Sequence, residues 1–230
     1  MAPFGASRAG LMSTRVDAIP DSENIHTQYI IEEESLADQD SITTFTDQSG
    51  NGHDLTGGDP VYVADEWNGN AVARFDGTDD ELDGDISNIT QPFTYAFTLQ
   101  FTGSQSDILT VQTGDDSSEG VLRNRDDTDG LQARSRENLS TGTNFGFSSR
   151  VAVVVVYDAE NSLIEVNNSQ EASGDAGTEG LDRIRVGNRD SGTDQYFEGD
   201  LAESIVWDSR LDSEQRTDAF NYLDNKYDVS

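Results

Sequence analysis

The chain has 230 residues, a formal net charge of −31, 33% hydrophobic residues and no cysteine. That length suits one large all-β domain, and the missing thiols exclude a disulfide framework and any Cys-ligated metal. So strong an excess of acid argues against nucleic acid and anionic membranes as partners.

Taken in order, residues 1–25 are small, Gly- and Ser-containing and weakly patterned, and read as an extended N-terminal arm, either a disordered leader or an arm that orders against a neighbouring subunit. The opening MAPFGASRAGLMSTRV has no apolar core of signal-peptide length, so Sec export is not expected. Short strands are predicted at 29–31 and 42–46. The stretch 47–55, DQSGNGHDL, turns tightly, because Ser49-Gly50 and Asn51-Gly52 tolerate positive φ. It is followed at 68–82 by NGNAVARFDGTDDEL, in which Val72 and Phe75 are strand residues ahead of a turn at Gly77. From 93 to 101, Phe93, Tyr95, Phe97, Leu99 and Phe101 alternate with smaller or polar residues, the period of a strand with one buried face.

Shorter strands are expected at 108–111, 121–125 and 131–136, separated by Asp- and Gly-rich turns. The run VAVVVVY at 151–157 is continuous and β-branched, as expected where both faces of a strand are covered, and is too short to span a bilayer. Strands at 163–166 and 181–187 precede the closing stretch, 197–227. There Leu201, Glu203, Ile205 and Trp207 are expected on one side of a long strand and Ala202, Ser204 and Val206 on the other. Asp212 with Gln215 three residues on has the spacing of a capping box. Ala219, Phe220, Leu223 and Tyr227 then recur at helical spacing, so one short helix docks on a larger body. Frequent turn signals with no helix until the end predict an antiparallel β-sandwich.

DQSGNGHDL, NGNAVARFDGTDDEL and FEGDLAESIVWDSRLDSEQ, in this order, resemble the laminin-G-like, concanavalin-A-like jelly-roll family. The family typically has Trp two residues before the aspartate of the first motif, where this chain has Phe45. The resemblance covers about residues 26 to 228 and implies an all-β, antiparallel jelly-roll sandwich over 26–230. It implies less about function, since the family includes lectin-like, adhesion and structural modules.

Glu198, Asp200 and Glu203 match the E-x-D-x-x-E spacing of a jelly-roll glycosidase family. Retaining hydrolysis needs two carboxylates about 5 to 5.5 Å apart, and on a regular strand Glu203 would point away from the other two unless a bulge shifted the register. The closing strand of a laminin-G-like sandwich explains the stretch more simply, with Glu198 and Asp200 as unconstrained surface, so no catalytic residue is assigned. Asp79, Glu81, Asp83 and Gly84 resemble the start of a calcium loop, as do Asp127, Asp129 and Gly130, but neither has the glutamate required at the twelfth position. Solvated acids explain both better, and no metal or cofactor is expected. His26 and His53 lie in unrelated segments and make no zinc pair. Trp67, Tyr62 and Tyr196 lie in or near predicted loops and are read either as sugar-stacking or as buried aromatics. The sequons at Asn88, Asn138 and Asn167 are no more than a chain rich in Asn, Ser and Thr supplies by chance.

The arginines run against the composition. Arg123 and Arg125, Arg134 and Arg136, and Arg183 and Arg185 are pairs spaced by two on three predicted strands, so each pair is expected on one face. Neighbouring strands with matched facing would make a sheet face of six guanidinium groups, suited to an acidic saccharide or to the acidic surface of an adjacent subunit. Local pairing with the abundant Asp and Glu is the alternative.

Lys226 is the only lysine, and acids outnumber bases 45 to 14 along the whole length. This resembles proteins of organisms living in multimolar salt, where screening removes self-repulsion. The short leader is similar to those of virion proteins of viruses infecting halophiles. These features lead to a non-enzymatic surface protein of an extracellular assembly, a virion decoration or spike subunit, that is homo-oligomeric, joined to other subunits and in contact with host glycans. A dedicated lectin-like carbohydrate-binding module and a jelly-roll glycoside hydrolase are the alternatives.

Overall fold

The computed structural model describes residues 18–102, 107–113, 119–125, 130–142, 149–188 and 196–229. Among the described residues, sixteen strands and one α-helix follow one another. They are β1 (Ile25–Ile30), β2 (Thr44–Phe45), β3 (Leu55–Gly57), β4 (Val61–Trp67), β5 (Asn70–Asp76), β6 (Leu82–Ile89), β7 (Phe93–Phe101) and β8 (Asp107–Thr113). Then come β9 (Glu119–Arg125), β10 (Gly130–Ser135), β11 (Glu137–Ser140), β12 (Arg150–Tyr157), β13 (Ser162–Val166), β14 (Ser169–Gly174), β15 (Leu181–Val186), β16 (Glu198–Trp207) and α1 (Ser213–Tyr227).

The strands form two antiparallel sheets packed face to face, the sandwich that alternation predicts. The first runs β14-β13-β12-β7-β16-β5-β4 with β1 also on β16; the second runs β11-β10-β9-β8-β15-β6-β3-β2. Between them lies one apolar core containing Phe45, Phe75, Phe93, Phe97, Leu99, Leu122, Ile184, Phe197 and Leu201. The alternation of β7 puts Phe93, Tyr95, Phe97, Leu99 and Phe101 into this core. Its intervening Ala96 belongs to a second cluster on the opposite face, with Trp207, Ala219, Leu223 and Tyr227. The β-branched run of β12 serves both, Val151, Val153 and Val155 facing the inter-sheet core and Val154 the helix side.

β16 is the central strand of the first sheet. One edge pairs with β7, while the other is shared by β5, opposite residues 198–201, and β1, opposite residues 203–207. At the changeover Leu201 is opposite Leu99 and Glu203 opposite Thr98, so Ala202 is a bulge residue. The bulge moves Leu201 and Ala202 to the sides opposite those expected of an unbroken strand, while the residues from Glu203 to Trp207 keep the expected alternation. Leu201 and Val206 enter the inter-sheet core, whereas Ala202, Ile205 and Trp207 lie on the helix side with Glu203.

Helix α1 starts as its capping box dictates: the Asp212 carboxylate accepts from Glu214 N and Gln215 N, and Gln215 Oε1 accepts from Asp212 N. Of the expected apolar positions, Ala219, Leu223 and Tyr227 are buried and Phe220 is half-buried. Most of the predicted arm lies outside the described residues. Its last part is tied to this chain's own body, Pro20 O accepting from Trp207 Nε1 at 3.0 Å and Asp21 Oδ2 from Ser209 Oγ at 2.8 Å.

Candidate functional site

The turn DQSGNGHDL is built around Asp47. Its buried carboxylate accepts from Gln28 N and Ser49 N at 3.0 Å each, from Ser49 Oγ at 2.8 Å and from His53 N at 3.1 Å. Burial pushes its pKa up, but these hydrogen bonds outweigh it and hold the carboxyl below the ordinary aspartate range. Gly50 and Gly52 adopt φ of +87° and +78°, as the turn requires. The turn brings His53 onto His26, their rings stacked with centroids 4.8 Å apart. The two segments that look unrelated in sequence therefore meet, as a stacked pair rather than a zinc pair.

The E-G-D-L-A-E stretch is anchored, not free. The bulge puts Asp200 and Glu203 on the same face, contrary to the alternation of a regular strand. Asp200 is 2% exposed and receives a bidentate contact from Arg74, Nε and Nη2 each at 2.8 Å, so it is not the unconstrained surface position expected. Glu203 is fully buried beneath α1. It accepts from Gln28 Nε2 at 2.8 Å, Lys226 Nζ at 2.7 Å, Tyr227 Oη at 2.7 Å and Tyr222 Oη at 3.1 Å. Burial, and then the Glu203 charge, push both tyrosine hydroxyls well above their ordinary pKa.

The arginines share the second sheet, whose order places β10, β9, β8 and β15 side by side. Arg123 lies opposite Gln132 and Arg134 opposite Val121 and Asn138, while their strand neighbours Leu122 and Ala133 enter the core. Arg183 and Arg185 likewise alternate with Ile184 and Val186, which are core residues, so all four point away from the core. Arg125 occupies the register position opposite Asp107 and Gly130. Arg136 departs from the expectation. It sits at the tip of the β10–β11 hairpin with φ +81°, where strand alternation has ended, and its side chain, 63% exposed, pairs with Glu179 at 2.6 Å.

Among the described side chains this face carries polar partners for its arginines as well as like charges. Buried Arg123 donates from Nε and Nη2 to Gln132 Oε1, and Gln132 Nε2 donates to Ser140 Oγ at 2.9 Å. Arg183 and Arg185 both donate to Asp83. The charged pairing also accounts for one calcium-loop residue, and Glu81 takes Asn188 Nδ2 at 3.0 Å. Asp79 instead converges with Asp59 and Asp80, their ligand atoms within 4.8 Å of one another. Asp127 and Asp129 lie outside the described residues. Trp67 and Tyr62 are buried, which removes them from any sugar-stacking role in this conformation, and Tyr196 is half-buried.

No protein-family model matches the chain, and no curated protein does. Solved structures do share the fold. Domain 4 of AbnA, a GH43 extracellular arabinanase from Geobacillus stearothermophilus in complex with arabinotriose, matches with a TM-score of 0.62 at 15% identity over 85% of this chain and 98% of that one. The binding domain of Paraclostridial Mosquitocidal Protein 1 matches with a TM-score of 0.68 at 13% identity, over 89% of this chain and 53% of that one. The binding domain of Botulinum Neurotoxin DC in complex with SialylT matches with a TM-score of 0.62 at 10% identity, over 88% and 52%. The chain thus spans about half the length of the two toxin binding domains. These likenesses establish a β-sandwich fold and nothing about ligand.

Proposed function

We propose that this protein is a non-enzymatic carbohydrate-recognising surface module, carried on a larger extracellular assembly such as a virion exterior and adapted to high salt. The observation that carries the reading is the contrast between the two outer faces of the sandwich. One is sealed by α1 over an apolar cluster. The other carries guanidinium, amide and carboxylate groups held by one another: Arg123 and Gln132 are buried, while Arg183, Arg185 and their shared Asp83 are half-buried and open in part to solvent. Planar polar groups fixed in advance suit saccharide hydroxyls and carboxylates, because little ordering cost remains to binding. Neighbours crystallised with arabinotriose and SialylT support a sugar as ligand for this fold. The non-enzymatic reading draws on Asp200 and Glu203, each committed to internal partners. A surface dense in acids supports the high-salt setting.

The test is calorimetric titration with acidic and neutral envelope polysaccharides in multimolar NaCl, with light scattering of the free protein alongside. Acidic polysaccharide should bind, and Arg134→Gln combined with Arg185→Gln should weaken it about tenfold without releasing reducing ends in either form. Absence of binding by the unaltered protein, or equal binding by the variant, would overturn the reading.

A further inference from the structure

Both histidines of the chain border a single cavity at one end of the sandwich. It has a volume of about 290 Å³, and its walls include Glu23, His26, Asn51, His53, Ser87 and Asp208. These come from β1 and the approach to it, the Asp47-centred turn, β6 and the residue after β16, so the site is assembled only in the folded chain. The volume is at the lower end of small-molecule pockets, roughly 300–1,000 Å³, and suits one sugar ring rather than an oligosaccharide.

His26 is only 9% exposed and its Nε2 has no hydrogen-bond partner among the described residues. A buried nitrogen left without a partner is characteristic of places where a ligand or ordered water completes a site. Burial foremost lowers the His26 pKa, against smaller opposing pulls from Asp208 and the Ser87 backbone, and so favours the neutral ring. His53 is already committed. Its Nε2 accepts from Ser87 N at 3.2 Å, so its Nδ1–H donates to the His26 carbonyl at 3.3 Å. Asn51 gives its amide hydrogens to the carbonyls of Ile25 and His26 at 3.1 and 3.0 Å, leaving Oδ1 as an acceptor.

This inventory selects among ligand classes. An anion is opposed by Glu23 and Asp208. An apolar ligand has only Ile25 to meet. A metal ion lacks a chelating set, since both His53 nitrogens are occupied and the imidazoles are stacked. The same two carboxylates would attract an organic cation, a class that the glucosamine control below separates from neutral ligands. Hydroxyl groups use the whole inventory, since they both donate to carboxylate and amide oxygens and exchange hydrogen bonds with a neutral imidazole. We propose that this cavity is a pocket for one neutral sugar ring, held by hydroxyl contacts to the His26 imidazole, Asn51 Oδ1 and the carboxylates of Glu23 and Asp208. The proposal rests on the carbohydrate reading but places a second, separate site away from the arginine-bearing face.

With only two histidines, the imidazole Cε1–H region of an NMR spectrum holds two signals. Glucose, galactose, mannose and arabinose are titrated in multimolar NaCl near pH 7, with glucosamine and glucuronate as charged controls. At least one neutral sugar should move both signals to saturation with a millimolar midpoint. Ser87→Trp, placed at an exposed position of the rim, should raise that midpoint at least tenfold with little change in melting temperature; Ser87→Gln serves if the larger side chain prevents folding. Arg134→Gln with Arg185→Gln should leave the midpoint unchanged. The proposal is overturned if no neutral sugar moves the signals, if only glucosamine does, or if blocking the rim has no effect. Failure of the sheet-face reading looks different: acidic polysaccharide would not bind while the histidine shifts persisted.

Discussion

Asp80 shows what one side chain can do to the pH response. It is 4% exposed, and its Oδ2 accepts from Asp76 N at 2.8 Å, yet oxygens of Asp59 and Asp79 crowd it. Burial first, and then the charges of Asp76, Asp59 and Asp79, raise its pKa to about 6. A carboxyl raised in the fold binds its proton more tightly there than in the unfolded chain. Its favourable contribution is therefore complete below the unfolded value near 4 and is lost as pH rises through about 6. Asp80→Asn cannot ionise, so above pH 7 it should be more stable than the parent protein, by at most about 3 kcal/mol at about 1.4 kcal/mol per pKa unit. The advantage should shrink towards pH 4. Urea denaturation at a series of pH values checks this, and a difference independent of pH would refute it. At this scale the sequence was informative only in part: it drew attention to Asp79, but through a calcium-loop spacing. What matters is the approach of Asp59, which depends on the packing of distant loops and leaves no trace in local spacing.

Helix α1 and the strand beneath it divide along the same line. The capping box Asp212–Gln215 and the buried Ala219, Leu223 and Tyr227 were legible because capping and helical period are local properties. The bulge at Ala202 was not, since register is set by partners that the strand meets only after folding. For that reason the role of Glu203 was hidden: its spacing suggests catalysis, whereas its position makes it the polar fastening of α1. Removing it leaves Lys226, Tyr222, Tyr227 and Gln28 facing a buried gap. Glu203→Ala should cost about 3–5 kcal/mol, as for a buried ion pair broken on one side. Glu203→Gln, which keeps the shape and some hydrogen bonds, should cost less. Amide exchange in α1 should accelerate in the alanine variant more than exchange in β7 or β12. Uniform acceleration across the sandwich, or a loss under 1 kcal/mol, would show that the helix is held by its apolar face alone. The arginine pairs illustrate the same limit at sheet level. Two-residue spacing put Arg183 and Arg185 on one face, where they lie, and failed for Arg134 and Arg136, because the strand had ended at Arg136.

For the molecule as a whole the controlling quantity is charge. Among the described residues, five of the few bases are drawn to acids of the fold. Arg74 serves Asp200, Arg183 and Arg185 serve Asp83, Arg216 serves Glu165 and Lys226 serves Glu203. These pairs neutralise buried or half-buried acids and leave most other carboxylates to repel one another across the surface. The sandwich itself was legible because alternation and turn spacing repeat over many strands, so single errors do not change the architecture; its energetics depend on the solvent. Repulsion over distances beyond about 3 Å is removed near 1 M salt, where at 0.1 M it reaches about 10 Å. Raising NaCl from about 0.1 M to multimolar concentration should therefore stabilise the protein by about 3–5 kcal/mol, a rise in melting temperature on the order of 10 °C at this size. Salts also strengthen apolar burial, as sucrose does without screening charge. Sucrose should consequently recover only a minor part of the gain, and most of the rise should occur below about 1 M, where the screening length changes most. A melting temperature that stayed level with salt, or that sucrose raised equally, would mean that apolar packing in the two clusters, and not relief of surface repulsion, sets the stability.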